Sequence, residues 1–427
     1  MGMKKTGNRA QWRFTIAGAV AIVGLAGCAG TPSSPSGPTG SSTPPSATTS
    51  AIASPTSTTP TLTPSPSPTS RPLTFVATGS MHTARTDATA TLLKNGRVLI
   101  AGGEDTHEMG ITFYASAEIY NPATGKFTST GSMTAARADA TAILLSDGRV
   151  LIAGGDGCSD PKHCTNVANE ATENLASADI YDPATGKFTR TGSMTISDRD
   201  DAAVLLPDGK VLMADFGPDV ELFDPATGKF TSSGTGTGSS TPNTATVLPN
   251  GKVLVTTGEG SPQLYDEASG KFATISIVLP PGTPSAKYED GKVIARETVH
   301  TATLLKNGRV LLFESGYLET YDPATGTCAD AGFISPGGEW IYPTATLLPD
   351  GRVLFEGGAL VPDPAGGSVS TNIALLYDPS SRQVSTGSMQ MARAGQTATL
   401  LPDGSVLIAG GEGTDFKPLA SAELVKQ

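Results

Sequence analysis

Residues 92–99 read Leu-Leu-Lys-Asn-Gly-Arg-Val-Leu, and close copies of this eight-residue pattern occur six more times along the chain. Every copy has two short apolar runs separated by Asn-Gly or Asp-Gly. Glycine readily adopts the positive φ that a tight β-hairpin turn requires, so these dipeptides favour hairpins. The sequence therefore predicts seven similar hairpins, whose turn glycines are Gly96, Gly148, Gly209, Gly251, Gly308, Gly351 and Gly404.

Each hairpin belongs to a longer repeat. Four copies continue with Gly-Gly after the second predicted strand, at 102–103, 154–155, 357–358 and 410–411. A third strand such as 115–120 follows, and then a turn such as 182–186. In that turn Asp-Pro favours a type I start and the closing glycine suits the left-handed region. A fourth strand such as 187–190 completes a predicted four-stranded unit.

The repeats resemble kelch repeats of the kelch and galactose oxidase superfamily over residues 73–427. Their turn glycines are 52, 61, 42, 57, 43 and 53 residues apart, a mean of about 51 where kelch repeats have about 50. Arg85, Arg137 and Arg393 match the kelch arginine, and His300 matches its histidine position. The resemblance implies an all-β, seven-bladed propeller. Two departures concern the packing between blades: copies three to five lack Gly-Gly, and Trp340 is the only tryptophan after residue 27.

The two ends of the repeat region complement each other. The last copy ends after its third strand, at Leu424-Val425, whereas residues 73–81 resemble the fourth-strand segment 127–133 without a unit before them. We expect the N-terminal strand to complete the last blade, which closes the ring and removes two open sheet edges.

The first 27 residues have the features of a signal peptide. Four basic residues and no acidic residue precede an apolar or small run at 14–27, which is shorter than the roughly 20 residues of a membrane-spanning helix. Leu25-Ala26-Gly27-Cys28 resembles the lipobox of bacterial lipoprotein precursors, and this implies lipidation of Cys28 after cleavage before it. An ordinary signal peptide with a chance cysteine is the alternative.

Residues 28–72 form a predicted linker. After Cys28 this segment consists almost entirely of Ser, Thr, Pro, Gly and Ala, so it buries too little apolar surface to fold. We expect a disordered spacer that holds the propeller of 73–427 away from a cell membrane, on the extracytoplasmic side. Loss of residues 1–27 changes the net charge from −11 to −15, which argues against nucleic acid as a partner.

Three cysteines follow Cys28. In an oxidising compartment Cys158 and Cys164, which share one loop, are expected to form a disulfide. Cys328 is left as a small buried residue. A metal site formed by Cys158, His163 and Cys164 is the alternative, although no fourth ligand is evident.

The candidate binding face lies where second strands connect to third strands. These connections are long at 104–114, 156–175, 359–372 and 412–419, and they fall on adjacent blades if the ring closes. Arginines precede first strands, and Glu104, Asp156, Glu259 and Glu412 follow second strands, so we expect structural arginine–carboxylate pairs there, with a polar ligand clamp as the alternative. The candidate residues are Arg85, Glu104, His107, Arg137, Asp156, His163, Arg393 and Glu412.

A lipid-anchored binding module for a protein or a carbohydrate is the function that these features favour. We expect a monomer without a cofactor or a metal. The alternative is an extracytoplasmic enzyme, either a carbohydrate-active hydrolase or an oxidase. Galactose oxidase-like propellers hold copper with two tyrosines and two histidines, but none of the four histidines here, which include His82, lies beside a tyrosine. Paired carboxylates leave general acid–base catalysis open.

Overall fold

The structure is a computed structural model, and it describes residues 72–107, 110–164, 172–195, 202–214, 219–235, 242–257, 262–275, 287–289, 292–294, 301–361 and 367–427. The predicted signal peptide, Cys28, the linker up to residue 71, Glu259 and His300 lie outside these residues. All of the described residues belong to one compact unit.

The described chain is all-β, apart from one short 3-10 helix at Pro161–His163, and its strands pair antiparallel. None of its helices has the length and apolarity needed to cross a membrane. The strands are, in chain order, β1 (Thr74–Ala77), β2 (Thr89–Leu92), β3 (Val98–Ala101), β4 (Glu104–His107), β5 (Gly110–Phe113), β6 (Ser116–Asn121), β7 (Lys126–Ser132), β8 (Ala136–Ala138), β9 (Thr141–Leu144), β10 (Val150–Ala153), β11 (Asp156–Cys158), β12 (Glu173–Asn174), β13 (Ser177–Asp182), β14 (Lys187–Ser193), β15 (Ala202–Leu205), β16 (Val211–Ala214), β17 (Asp219–Asp224), β18 (Lys229–Thr235), β19 (Pro242–Val247), β20 (Val253–Thr257), β21 (Gln263–Asp266), β22 (Lys271–Thr274), β23 (Lys287–Glu289), β24 (Lys292–Ile294), β25 (Thr301–Leu304), β26 (Val310–Glu314), β27 (Tyr317–Asp322), β28 (Thr327–Phe333), β29 (Glu339–Ile341), β30 (Thr344–Leu347), β31 (Val353–Glu356), β32 (Ala359–Val361), β33 (Val369–Asp378), β34 (Gln383–Leu400), β35 (Val406–Glu412) and β36 (Ala422–Lys426).

Four-stranded sheets with the strands in chain order recur along the chain, and we number them as units after the hairpins that they contain. Units 1 to 5 are β2-β3-β6-β7, β9-β10-β13-β14, β15-β16-β17-β18, β19-β20-β21-β22 and β25-β26-β27-β28. Unit 6 is β30-β31-β33-β34, and β34 continues into unit 7, which is β34-β35-β36-β1. The long β34 therefore serves as the last strand of one unit and the first strand of the next.

The core lies between units. The second strand of unit 1, Val98–Ala101, is buried along its whole length. Val98 and Ile100 pack with Leu407 of unit 7, whereas Leu99 packs with Val150 of unit 2. Because alternate side chains of a strand point to opposite faces, each sheet buries both faces against its two neighbours.

The N-terminal strand completes unit 7, as the sequence predicted. β1 pairs antiparallel with β36, from Thr74 opposite Lys426 to Ala77 opposite Glu423. Beyond β1, the Gly79 amide donates to the Gly125 carbonyl oxygen of unit 1 at 2.9 Å. Gly131 of unit 1 makes the same bond to unit 2. The segment that follows β1 thus contacts unit 1 as the end of unit 1 contacts unit 2.

Candidate functional site

One end of the sheets carries the connections from second to third strands and from fourth to first strands, and we call it the loop face. In units 1, 2, 6 and 7 these connections form additional β-structure. In unit 1, β4 pairs with β5; in unit 2, β11 pairs with β8 and β12; in unit 6, β29 pairs with β32. In unit 7, Glu412 forms a bridge with Pro418. Main-chain pairing therefore orders the described parts of the connections that the sequence marked as long loops.

Each recurring arginine is buried. It precedes the first strand of a unit, and its side chain bonds to residues at the ends of the second and third strands of that unit. Arg137 has 1 % of its surface exposed. Its Nη1 donates to the carbonyl oxygens of Gly154 and Ser177, and its Nη2 donates to Ser177 Oγ at 2.8 Å. Its ion pair is with Asp179 on the third strand, at 3.7 Å. Burial lowers the pKa of Arg137 to about 10, so the guanidinium remains charged at neutral pH.

Arg85 and Arg393 repeat this geometry. Arg85 bonds to the carbonyl oxygens of Gly102 and Ser116 and lies 3.5 Å from Glu118. Arg393 bonds to those of Gly410 and Ser421 and lies 3.2 Å from Glu423. The predicted structural pairs therefore form with third-strand carboxylates. These partners, Glu118, Asp179 and Glu423, were not among the carboxylates that the sequence named.

The third-strand carboxylate also bonds to the segment that enters the unit. Asp179 accepts from the Thr134 amide at 3.0 Å and from its hydroxyl at 2.7 Å. Glu118 accepts from the amides of His82 and Thr83 and from His82 Nδ1 at 2.8 Å. Each carboxylate therefore joins the buried arginine to the incoming chain. The carboxylate lies two residues before a buried residue of the third strand, as Glu118 lies before Tyr120. This spacing is a signal by which the carboxylate could have been found in the sequence.

Unit 6 replaces this polar network with apolar residues. Trp340 lies 17 residues before Gly357, the same offset as between Arg85 and Gly102, and its Nε1 donates to the Gly357 carbonyl oxygen at 2.8 Å. The serine and the carboxylate of the other units correspond here to Ile373 and Leu375. Trp340 therefore keeps the one hydrogen bond that the indole can make, and the charged partner is absent at that position.

Carboxylates follow the second strands on the loop face of three adjacent units. Glu104 and Asp156 are 9 % and 6 % exposed, and Thr106 Oγ1 donates to Glu104 Oε1 at 3.0 Å. Glu412 of unit 7 is half-buried. Burial, and then the negative charge of the nearby Glu104, raise the pKa of Glu412 to about 7. The structure thus brings Glu104 and Glu412 together across the boundary between units 7 and 1.

The remaining candidate residues lie on the same face. His107 ends β4, and His163 ends the 3-10 helix. That helix lies inside the six-residue span between Cys158 and Cys164, which form a disulfide in the structure. Cys164 packs against Ile111 and Phe113 of the β4–β5 connection. The disulfide loop of unit 2 is therefore attached to the extra hairpin of unit 1.

Four exposed apolar side chains on the loop face were missed from the sequence: Phe333, which ends β28 and is 55 % exposed, and three more that belong to units 6 and 7. Val369, Met391 and Phe416 are 45 %, 46 % and 56 % exposed. Val369 and Phe416 lie in the second-to-third connections of units 6 and 7, and Met391 lies in the chain that joins these units. Only the fold shows that they share one face, because the sequence separates them by more than 20 residues.

A scan of the sequence against protein-family models found no match, and a search of curated proteins also found none. Solved structures do match. A fungal alcohol oxidase of the AA5 family, in complex with copper, has 14 % identity and a TM-score of 0.58, over 83 % of this chain and 76 % of that chain. Streptogramin B lyase has 11 % identity and a TM-score of 0.55, over 83 % of this chain and 98 % of that chain. These matches show a β-propeller fold.

Galactose oxidase-like propellers hold copper with two tyrosines and two histidines, and the residues that the structure describes do not fit such a site. Among them, no group of three or more His, Cys, Asp and Glu could hold a metal ion. Cys328 lies opposite Tyr321 in the β27–β28 pair, but it occupies the place of Phe127, which stacks on Tyr120 in unit 1. Cys328 is buried and free, and packing accounts for its position.

Proposed function

We propose that the chain is a lipid-anchored, extracytoplasmic binding module, in which seven kelch-type blades close into a ring and the loop face binds a protein or a carbohydrate. Lipidation of Cys28 would hold it at the cell membrane, and residues 28–72 would act as the spacer. Contacts between units 7 and 1 support the closed ring. The Gly411 amide of unit 7 donates to the Arg85 carbonyl oxygen, which precedes unit 1, at 3.0 Å. This repeats the bond between units 1 and 2, in which the Gly103 amide donates to the Arg137 carbonyl oxygen at 2.8 Å.

The exposed apolar side chains Val369, Met391 and Phe416 are the observation that carries this proposal. Large apolar residues exposed on the same face are typical of binding surfaces. They occur on the connections of units 6 and 7, which lie beside the elaborated connections of units 1 and 2. An aromatic or aliphatic anchor of this kind contributes most when its partner covers it completely.

Order in these connections also supports binding. β29–β32 pairing, the Glu412–Pro418 bridge and the Cys158–Cys164 disulfide restrict the loop-face backbone before any partner arrives. A surface that is already ordered loses less conformational entropy on association. The buried arginines also restrict this backbone, because they bond to its carbonyl oxygens. Their burial favours a structural role over a ligand clamp.

Pull-down from a cell-envelope extract, together with a carbohydrate array, tests the proposal. We expect Val369→Ser/Met391→Ser/Phe416→Ser to lose at least tenfold in affinity for any partner that the wild-type protein retains. The control is Val76→Ser/Val384→Ser, which removes two side chains that are each 40 % exposed but lie on fourth strands. Equal affinity of the loop-face variant and the wild type would contradict the proposed surface.

Anchoring is tested separately. We expect the wild-type protein to be found in the membrane fraction and to incorporate a labelled fatty acid. Cys28→Ser should lose both properties while its propeller melts at the same temperature. Fatty-acid incorporation by Cys28→Ser would contradict lipidation at this residue.

Hydrolysis is the second candidate function, and the neighbouring Glu104 and Glu412 favour it. A carboxyl group with a raised pKa can act as general acid beside a second carboxyl group. We expect any such activity on polysaccharides to fall at least 100-fold in Glu412→Gln, because general acid–base catalysis contributes about 10²- to 10⁴-fold. Activity that survives this substitution would place the chemistry elsewhere.

A further inference from the structure

Glu356 is a completely buried carboxylic acid at the end of the second strand of unit 6. Five residues after the turn glycine, where Glu356 stands, four other units have alanine, unit 4 has Thr256 and unit 5 has Phe313. Unit 6 therefore places an ionisable group at a position where no other repeat has one, and the repeat architecture does not require it.

The Glu356 side chain faces unit 7. Leu354, two residues earlier in the strand, packs against Val406 and Ile408, and residues two apart in a strand share a face. From unit 7, Gln396 Nε2 donates to the main-chain oxygen of Glu356 at 2.9 Å. The same nitrogen lies 3.4 Å from Thr344 Oγ1. The boundary between units 6 and 7 thus contains a buried polar cluster.

Several oxygen atoms in this cluster have no hydrogen-bond partner. They are both carboxyl oxygens of Glu356 and Oε1 of Gln396. Burial raises the pKa of Glu356 well above its usual range, and the nearby hydroxyl groups of Thr344 and Thr346 oppose this with a smaller effect. A buried acceptor without a donor is costly, and so is a buried charge without a partner.

Titratable groups on the strands packed around Glu356 bond elsewhere. Arg393 on β34 binds Glu423 of β36 at 3.2 Å, and the Tyr377 hydroxyl on β33 donates to the Ala331 carbonyl oxygen of unit 5 at 2.7 Å. The nearby arginine is therefore committed to another carboxylate. A cation from solution could satisfy the oxygens of Glu356 and Gln396 together.

We propose that Glu356, Gln396, Thr344 and Thr346 bind a hard cation of the sodium or calcium kind between units 6 and 7. Carboxylate, amide and hydroxyl oxygens are the ligands that such cations prefer. Binding replaces the carboxyl proton: the O–H bond of Glu356 breaks, the proton passes to solvent, and the cation takes its place beside the carboxylate. The affinity therefore rises with pH, because protons compete with the cation.

Thermal melting of the full-length protein at pH 8 tests this site with CaCl₂, MgCl₂ or NaCl, against N-methylglucamine chloride at equal ionic strength. We expect one cation to raise the wild-type Tm by roughly 3–5 °C at a hundredfold excess over its Kd. The rise should be smaller at pH 5. Glu356→Gln should lose the rise, and Glu339→Gln, an exposed carboxylate in the same unit, should keep it.

Elemental analysis of dialysed wild-type protein supplies a measurement that does not depend on a variant folding, and we expect about one calcium or sodium ion per chain more than in Glu356→Gln. Three results would overturn the site: no cation-dependent shift at either pH, a shift that Glu356→Gln retains, or equal ion content in the two proteins. A loss of stability with rising pH that no cation reverses would show that Glu356 is a neutral buried acid only.

Discussion

At the scale of single residues, the buried arginines show how the chain tolerates a charge inside a β-sheet stack. Arg137 gains Gly154, Ser177 and Asp179 as partners, so its guanidinium is bonded where water is excluded. Unit 6 has Trp340 and Leu375 at the corresponding positions. The charged and the apolar solutions each satisfy the glycine carbonyl oxygen, but a mixture of the two would leave a buried charge unpaired.

We therefore expect Arg137→Met to lower the free energy of unfolding by about 3 kcal/mol, because removal of one member of a buried pair leaves the other uncompensated. Urea unfolding measures this. Arg97→Met, at an exposed position in a hairpin turn of unit 1, is the control and should change stability by less than about 0.5 kcal/mol. Similar values for the two variants would contradict a structural role for Arg137.

The raised pKa of Glu412 leads us to expect that the stability of the protein depends on pH. Its pKa is about 7 in the folded protein, against an ordinary value of 4.5, so the folded state holds the proton more tightly. This stabilisation is complete below pH 4.5 and is lost as pH rises through about 7. We expect Glu412→Gln to reduce the loss between pH 5 and 8 by at most about 2 kcal/mol, allowing for its partial exposure.

Glu104→Gln should act in the same direction as Glu412→Gln, because it removes the negative charge that helps to raise the pKa of Glu412. Asp415→Asn, at an exposed position in the same connection, is the control. Chemical denaturation at several pH values measures all of these proteins. An unchanged pH profile in Glu412→Gln would contradict the raised pKa.

At the scale of the elements, Gly-Gly ends the second strand where two main chains come very close. Gly102 has φ +71°, and a Cβ there would lie 2.4 Å from the Arg137 carbonyl oxygen of the next unit. A Cβ on Gly103 would lie 2.6 Å from the Thr86 oxygen. The pair thus lets one strand pass between the neighbouring unit and the incoming chain of its own unit.

Gly102→Ala should therefore cost at least about 3 kcal/mol, from left-handed backbone strain together with the clash. Gly251 supplies the matched control, because its φ is +82° but a Cβ there would meet nothing within 4 Å. Gly251→Ala should cost only the backbone strain, about 1 kcal/mol. Thermal and urea unfolding of both variants test the difference, which would vanish if the close approach were absent.

Much of this element structure follows from local sequence rules. The Asn-Gly and Asp-Gly turns predict the hairpins, and the incomplete last repeat predicts the pairing of β1 with β36. The partners of the arginines were not predictable by the same rules. Glu118 alternates with Ala117 and Ile119, and this pattern is typical of a strand with one solvent-exposed face. In the structure, however, neighbouring units cover both faces of this sheet. Burial here depends on tertiary packing.

The candidate site, too, could be predicted from the sequence only in part. The long connections that carry Glu104, Asp156 and Glu412 were visible as length differences between repeats. The exposure of Val369 and Met391 was not visible, because it depends on which connections end up side by side. The ordering of these connections was also missed, since main-chain pairing such as that of β29 with β32 has no strong side-chain pattern.

At the scale of the whole molecule, stability comes from boundaries between units. Each second strand buries alternate side chains against two neighbours, and a fully buried Leu, Ile or Val contributes about 1.5–3 kcal/mol. β1 belongs to the boundary between units 7 and 1. Its neighbour Thr78 bonds to the Tyr120 hydroxyl of unit 1 at 2.8 Å. The first and the last of the described strands therefore pair within one sheet.

Removal of residues 1–80 should consequently damage the entire fold. The edge of β36 would become open, and the bonds from Thr78 to Tyr120 and from Gly79 to Gly125 would be lost. Because every unit is supported from both sides, the loss at one boundary should spread, and we expect the melting temperature to fall by more than about 10 °C, with aggregation through the open edge. The control is removal of residues 1–71, which leaves β1 in place. It should change the melting temperature by less than about 2 °C. The two truncated proteins are compared by calorimetry and size-exclusion chromatography. Equal melting temperatures would contradict a structural role for β1.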